Sequence, residues 1–456
     1  MKRIRFTRRS RLIAIAFSTV ALLTIVGVVL AAINIDSFDV GTLNVAVLSS
    51  GPTTNSGIDA TGTPLGGDRE VVLTWISGAG AANIAIDNSD TNRLNFNQDN
   101  GVKSRAILRW DGADAQATVN NQNLGDIDLT VGGNDGFHFE VVNDDIRATV
   151  RFRVYSNAGA DWSQYVLNLP GGINFPAHVD FFVPFGTGWT IGGGGGANFG
   201  SVSSIEIEID GTVLAGADVS VDFFDADNFR EYGDLPGAAE SGPVVYPASI
   251  VDAFQVPQGL RLGSNVDVDA TSQPDIPAGS ATSGDDNTTT PGDVDDEDGV
   301  TPSPGINWAA GAGGGQVDFT VAGCATFPTP CRLNGWIDWN SDGDFNDTRE
   351  HVFNDYALSF NATYFNTLID VPDTQTFNQS FYARFRVCNS AGQCNTPDAT
   401  NILNGEIEDY LWTFGPLAVT LDSLSARSAQ NGTALLILGA TVALGAVGVI
   451  ALRRRK

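Results

Sequence analysis

Histidine is almost missing from this chain: His138, His178 and His351 are the only three in 456 residues. A serine or cysteine nucleophile needs a base, usually histidine, and an acid that orients it. No G-x-S-x-G elbow and no H-E-x-x-H run occurs, so neither a serine hydrolase nor a zinc peptidase has its parts. Lysine is nearly absent, and methionine occurs only at Met1. The four cysteines, Cys324, Cys331, Cys388 and Cys394, form two close pairs, without the tighter C-x2-C spacing of a zinc site. Four cysteines allow three pairings. The simplest joins Cys324 to Cys331 and Cys388 to Cys394, each bond bracketing a short turn-prone loop. Export would permit both bonds. Carboxylates are plentiful enough for a two-acid glycosidase, but composition and cation loops account for their number. A protein without catalytic activity is expected.

Cations are scarce and unevenly placed. Lys2, Arg3, Arg5, Arg8, Arg9 and Arg11 precede an apolar run over residues 12–32, with a cleavage-compatible Val29-Leu30-Ala31. This reads as an export signal, or an anchor if it is retained (residues 1–32). Residues 434–452 are 19 residues without charge, followed by Arg453, Arg454, Arg455 and Lys456. That pattern predicts a transmembrane or sorting helix with a basic cytoplasmic tail over 453–456. It resembles bacterial C-terminal sorting tails, although no LPXTG sequence is present. Residues 415–433 read as a polar stalk. The two ends hold ten of the 25 cations and no acid, leaving 53 acids against 15 cations between them, about −38. Such a body repels phosphate backbones and excludes nucleic acid as a partner.

Long helical periodicity is also lacking. Short apolar-alternating runs separated by Gly, Asn, Asp and Ser predict an all-β chain of two jelly-roll-like β-sandwiches, flanked by the two terminal helices. The first sandwich spans 33–230, with strands expected at 70–76, 106–110, 137–142, 146–155, 179–183, 204–209 and 219–224. In this half Gly192 to Gly196 reads as a flexible loop. Trp110, Trp162 and Trp189 are core residues or, if exposed, platforms for sugar rings. Asp126, Asp128, Asp222, Asp225 and Asp227 are a second cation candidate or a solvated face. The second sandwich spans 231–414, with strands at 316–321, 333–339, 367–371, 381–388 and 410–414.

The second half is organised around residues 333–350, LNGWIDWNSDGDFNDTRE. After a strand, Asp338, Asn340, Asp342 and Asp344 place oxygens at alternate positions around Gly343, a spacing that folds around a hard cation. An EF-hand would have its bidentate Glu at the twelfth position; here that is Arg349, with Glu350 one later. Calcium is the expected ion, against a plain Asx-rich turn. Asp295, Asp296 and Asp298, with Glu297, Asp285 and Asp286, form a second acidic group that a cation would gather. Glu406, Glu408 and Asp409 arrive just before the last expected strand. They face either the Asp338 loop or the Asp295 group, or they are neutralised by Arg384 and Arg386.

Tyr232-Gly233-Asp234, Leu262-Gly263-Ser264, Gly284-Asp285-Asp286, Asp295-Asp296-Glu297-Asp298-Gly299-Val300, Ala383-Arg384-Phe385-Arg386-Val387 and Gly405-Glu406-Ile407-Glu408-Asp409-Tyr410 resemble, in this order, the GEVED domain of bacterial cell-surface proteins, over about residues 231–414. Ile407 replaces the valine for which the domain is named. The resemblance implies a β-rich extracellular module without a known catalytic role, and no particular ligand. The expected protein is therefore displayed at the cell surface, anchored through its C-terminal helix, structural or adhesive, and stabilised by calcium. The alternative is a glycan-binding surface protein that uses its first sandwich. A glycan or a protein at the cell surface is the expected partner in either case.

Overall fold

The computed structural model describes residues 32–87, 92–114, 124–238, 244–269, 272, 296–324, 330–358, 361–377 and 379–414. The expected signal, stalk, membrane span and basic tail lie outside these residues, as do Asp285, Asp286 and Asp295. Among the described residues no helix is long and apolar enough to cross a membrane.

The chain is all-β. The strands of its first half are β1 (Ile33–Asp36), β2 (Asn44–Leu48), β3 (Thr54–Asp59), β4 (Arg69–Ser77), β5 (Ala81–Asp87), β6 (Arg93–Gln98), β7 (Lys103–Trp110), β8 (Gly136–Asp144), β9 (Thr149–Ser156), β10 (Asp161–Asn168), β11 (Val179–Pro184), β12 (Thr190–Gly193), β13 (Val202–Asp210) and β14 (Val219–Asp227). They form two sheets, ordered β11-β8-β14-β6-β5-β2 with β1 beside β14, and β12-β10-β9-β13-β7-β4-β3. Alternation explains the packing. In β7, Ser104, Ala106, Leu108 and Trp110 point inward while Lys103, Arg105, Ile107 and Arg109 point outward. Both inner faces share one core that includes Phe96, Leu108, Trp110, Phe137, Phe152 and Phe224. The glycine run departs from the flexible-loop expectation. Gly192 and Gly193 belong to β12 and lie against the Trp162 ring, where a Cβ on Gly192 would come within 2.2 Å of it.

The second half contains β15 (Glu231–Tyr232), a one-turn helix α1 (Ala248–Val251), β16 (Phe254–Val256), β17 (Arg261–Leu262), β18 (Val300–Pro302), β19 (Gly311–Ala322), β20 (Cys331–Ile337), β21 (His351–Leu358), β22 (Ala362–Val371), β23 (Ser380–Cys388), β24 (Ile402–Leu403) and β25 (Gly405–Thr413). One sheet is β17-β19-β18 with β22 on β19, and its partner is β21-β20-β23-β25. Their shared core includes Phe319, Leu333, Ile337, Phe353, Phe385 and Trp412. The outer face of the second of these sheets packs Trp336 and Tyr382 under Leu235, Tyr246, Ile250 and Phe345. Cys324–Cys331 and Cys388–Cys394 are both disulfide-bonded.

Residues 257–268 run back against the first half. Phe182 N–H donates to the Pro257 carbonyl at 2.9 Å, Val266 N–H donates to the His178 carbonyl at 3.0 Å, and Val266 joins the first core. Nearby, His138 is buried on the outer face of β8, between Asp227 (Nδ1, 2.8 Å) and Asp180 (Nε2, 3.0 Å). Burial opposes the imidazolium, but the two carboxylates outweigh it and hold its pKa well above 6.5. A raised folded pKa gives stability that is full below the unfolded value of about 6.5 and is lost as pH rises through the folded value. Urea midpoints are therefore expected to fall from pH 6 towards pH 9, and His138→Gln is expected to flatten that slope.

Candidate functional site

The signature Gly405-Glu406-Ile407-Glu408-Asp409-Tyr410 lies inside β25 rather than just before it. The strand is hidden in the sequence because its first two core-facing positions are Glu406 and Glu408. Glu406, Glu408 and Tyr410 share the face that carries Trp412 into the core. They point at the opposite sheet and accept three main-chain N–H groups there. Glu406 Oε2 accepts from Leu262 of β17. Glu408 Oε1 accepts from Gly299 at 2.7 Å, and Tyr410 Oη accepts from Val300 of β18 at 2.9 Å. These rungs tie the two sheets together at one end.

Asp409 points to the other face. Arg384, directly cross-strand on β23, donates Nε to Oδ1 at 2.8 Å and Nη2 to Oδ2 at 2.7 Å. Both side chains are fully buried. Leu235 N–H adds a third bond to Asp409 at 3.0 Å, and Arg384 Nη1 reaches the carbonyls of Ile250 (2.6 Å) and Pro397 (3.0 Å). The pair thus pins Leu235 and Ile250 to the sheet. The glycines of the flanking motifs fit this arrangement. A Cβ on Gly233 would lie 2.3 Å from Asp409 Oδ2, and one on Gly263 (φ +55°) would lie 1.4 Å from Asp298 Oδ1.

β25 is an edge strand of its sheet, and its free edge is covered by acids in place of another strand. Glu231 Oε2 accepts the Ile407 N–H at 2.9 Å. Glu297 Oε1 accepts the Asp409 N–H at 3.5 Å, and Asp296 and Asp298, which hold the Asp267 and Ser264 N–H groups at 2.9 and 2.8 Å, repel Glu406 and Glu408. Glu406 and Glu408 therefore face the 296–298 group, while Asp409 is neutralised by Arg384. Sequence reasoning passed over Glu231, which has no periodic pattern around it; its one signal is its place immediately before Tyr232-Gly233-Asp234.

Electrostatically this end is under-compensated. Glu231 Oε1, Glu406 Oε1 and Glu408 Oε2 are buried and receive no hydrogen bond. Burial, then Glu408, Glu231 and Asp296, push the Glu406 carboxyl well above the usual range. Burial and Asp298 do the same to Glu408, and burial and Asp296 to Glu231. Arg386, buried beside them, has its pKa brought down to about 9 by burial and by Arg384.

The 338–350 loop is a ladder of side-chain-to-main-chain bonds. Asp338 accepts from Tyr246 Oη at 2.8 Å, Gly343 N–H at 3.1 Å and Asp342 N–H at 3.2 Å. Asn340 accepts from Asp342 N–H at 3.1 Å, Asp342 from Asp344 N–H at 3.3 Å, and Asp344 from Asn346 N–H at 2.9 Å. Glu350 accepts from Trp339 N–H at 3.2 Å and Asp347 N–H at 2.9 Å, closing the loop. Such Asx turns shape the loop without an ion. Burial, with Asp338, Asp347 and Asp342 adding repulsion, nevertheless pushes the Glu350 carboxyl up to about 7. Among the described residues no three His, Cys, Asp or Glu side chains are preassembled to hold a metal ion.

Of the three tryptophans considered, Trp110 and Trp189 belong to or pack against the first core, and Trp162 lies half-buried outside it. Trp110 is fully buried. Trp189 packs on Phe137, Tyr165 and Phe199, and Trp162 stacks on Tyr155 at 5.8 Å. Asp227 is committed to His138, Asp222 lies 3.5 Å from Arg93, and Asp128 caps Thr130. A cavity inside the first core is lined by apolar groups such as Phe38, Leu94 and Phe139, with no catalytic pair.

No curated protein matches this chain. Among solved structures, a family 11 carbohydrate-binding module from Clostridium thermocellum, in complex with a mixed-linked tetrasaccharide, is 12% identical; the alignment covers 41% of this chain and 96% of that one, with a TM-score of 0.21. A family 12 xyloglucanase from Bacillus licheniformis is 11% identical over 34% of this chain and 91% of that one, at 0.18. An agarase, AgWH50C, is 11% identical over 40% of this chain and 24% of that one, at 0.23. Superpositions this poor leave the function to the chain's own geometry. Residues 332–413 match the GEVED domain model. This segment holds the Arg384–Asp409 pair and the Glu406–Glu408 rungs but not their partners on β17 and β18. The chain therefore carries a GEVED domain at residues 332–413.

Proposed function

We infer that this is a non-catalytic extracellular protein whose GEVED-containing half is a rigid display module, stiffened by calcium and held at a cell surface for a structural or adhesive role. One observation carries the reading: the signature acids are used to hold the fold. Glu406 and Glu408 each hold a main-chain N–H across the sandwich, and Asp409 holds a buried guanidinium and the Leu235 N–H. Acids committed in this way are poor general acids or nucleophiles, which must reach a substrate. The two disulfides support an oxidising, extracellular setting. Calcium is supported by the buried oxygens of Glu231, Glu406 and Glu408 that receive no hydrogen bond, beside Asp296. A hard cation supplies what such oxygens lack. Anchoring through residues 434–452 completes the proposal. The test is whether the unfolding midpoint of the full chain depends on calcium.

A second reading, binding of a cell-surface glycan by the first sandwich, has one observation in its favour. On the outer face of the sheet containing β13, Glu206, Glu208 and Asp210 alternate with four arginines. The bonds include Arg109–Glu206 at 2.8 Å, Arg153–Glu208 at 2.7 Å and Arg105–Asp210 at 3.1 Å. The carboxylates are buried beneath the partly exposed arginines, so guanidinium edges held in place are what this face offers a polar, uncharged partner.

A further inference from the structure

The outer face of the sheet that contains β8, β14, β6, β5 and β2 carries asparagine where strands least favour it. Asparagine is depleted in strands, because its amide competes for main-chain groups in turns. Yet Asn44 of β2, Asn83 of β5, Asn95 and Asn97 of β6 and Asn143 of β8 share this face. Neighbours such as Val45, Ile84 and Phe96 are in the core and fix the main chain beneath them. The strand register aligns the outward side chains into two rows. One runs Asn143, Ser220, Asn95, Ala85, Asn44 across five adjacent strands, and the next runs Asn97, Asn83, Ala46. At a strand spacing of about 4.8 Å, the first row spans roughly 19 Å.

Neither row contains a charge. The side-chain amides of Asn44, Asn83 and Asn97 have no hydrogen-bond partner among the described residues. Asn95 accepts from the Ser220 hydroxyl at 2.6 Å, and Asn143 Nδ2 makes one long bond, 3.4 Å to the Asp218 carbonyl. An aromatic ring borders the rows. Phe175, in the loop before β11, is 66% exposed, and the Arg93 guanidinium lies over its ring at 5.3 Å. Arg93 is two residues from Asn95 on the same side of β6, and Asp222 meets its charge at 3.5 Å. An amide offers two donors and an acceptor oxygen, so a flat array of unpartnered amides matches a ligand rich in hydroxyls, each at once donor and acceptor. Other partners fit less well. The charge of about −38 between the two ends repels an anionic chain. A protein partner needs buried aromatic or apolar anchors, and the rows present only Ala46 and Ala85. A sugar ring stacks its apolar face on an aromatic ring, which Phe175 supplies.

We propose that this face binds a neutral, linear polysaccharide laid across the strands, with Asn44, Asn83, Asn97 and Asn143 hydrogen-bonding its hydroxyls and Phe175 stacked on one sugar ring. Because the amides stand on paired strands, binding orders little main chain. The proposal rests on the glycan reading of the first sandwich and gives the glycan a different face from the arginine–glutamate one. It does not depend on calcium in the second half.

The test is affinity electrophoresis of the full chain in gels that contain hydroxyethylcellulose, galactomannan or polygalacturonate. Retardation is expected in at least one of the two neutral polymers and not in the acidic one. Asn83→Ala combined with Asn97→Ala is expected to raise the apparent dissociation constant about tenfold, for two lost hydrogen-bonding side chains, and Phe175→Ala is expected to raise it by a similar factor. The two asparagine amides hold no part of the fold, and circular dichroism verifies both variants. A wild type that neither neutral polymer retards overturns the proposal and the glycan reading together. Both variants retarded as strongly as the wild type overturn the proposal. If Arg153→Gln abolishes retardation and the asparagine variant does not, the glycan lies on the opposite sheet: the proposal fails and the glycan reading stands.

Discussion

Replacing Arg384 with methionine is expected to destabilise the second half by about 3–5 kcal/mol, the usual cost of leaving one member of a buried ion pair alone. Asp409 would remain fully buried with Leu235 N–H as its remaining donor, and the carbonyls of Ile250 and Pro397 would lose their shortest bonds, keeping Ala253 N–H at 3.3 Å and Arg386 Nη1 at 3.4 Å. Urea unfolding measures the loss. Arg384→Met combined with Asp409→Leu is expected to recover much of it, because no lone charge is left in the interior. Arg386 is the internal control. It sits two residues away on the same face, but its Nε and Nη2 have no acceptor, and Nη1 makes only two long bonds, to Thr396 O at 3.2 Å and Pro397 O at 3.4 Å. Arg386→Met is expected to cost clearly less than Arg384→Met. Equal losses would mean that guanidinium bulk, and not the ion pair, matters here.

Arg69→Met is expected to cost a similar amount, about 3–5 kcal/mol, in the first half. Arg69 is fully buried and donates Nε and Nη2 to Asp36, each at 2.7 Å, with Nη1 3.4 Å from Asp59. Asp36 also accepts the Trp110 indole N–H at 3.0 Å. Burial pushes the Asp36 carboxyl up even with Arg69 present. Without the guanidinium it would take up a proton or draw in water beside the Trp110 ring. Tryptophan fluorescence during urea unfolding reads both the midpoint and the altered surroundings of Trp110. A loss under 1 kcal/mol would show that the fold relaxes around the charge.

Much of the fold was legible where one face is apolar and the other polar. The strands expected at 70–76, 106–110, 204–209 and 381–388 lie within β4, β7, β13 and β23, because Val, Ile, Leu and Phe alternate there with charge. Other strands were missed for identifiable reasons. β5 offers mostly Ala beside Ile84 and Ile86, and β6 alternates Leu94 and Phe96 with Asn95 and Asn97, so their apolar face is small. β12 and the start of β19 are glycine-rich, and their packing depends on what neighbouring side chains fill. β25 begins with Glu at both inward positions, which no hydrophobic pattern reports.

The site was legible to the same degree. The motif order located Arg384, Glu406, Glu408 and Asp409, and the close spacing of the cysteines gave their pairing. The assignment of Asp409 to Arg384 and of Glu406 and Glu408 to main-chain groups required the strand register. So did the return of residues 257–268 onto β11, which places Val266 in the first core.

The calcium dependence of thermal unfolding tests the central claim most directly. The full chain is compared in excess calcium, in magnesium and in chelator, alongside Glu406→Gln with Glu408→Gln. A ligand that binds only the folded form, at a hundred times its dissociation constant, adds about 2.7 kcal/mol, or roughly 5–10 °C for a domain of this size. The account predicts a rise of that order in calcium, a much smaller one in magnesium, and a substantially reduced rise in the double variant, whose midpoint in chelator should match or exceed that of the wild type. An identical midpoint in calcium and chelator would contradict it. The acidic loops would then be plain solvated turns, and the arginine–glutamate face of the first sandwich would become the leading candidate for function.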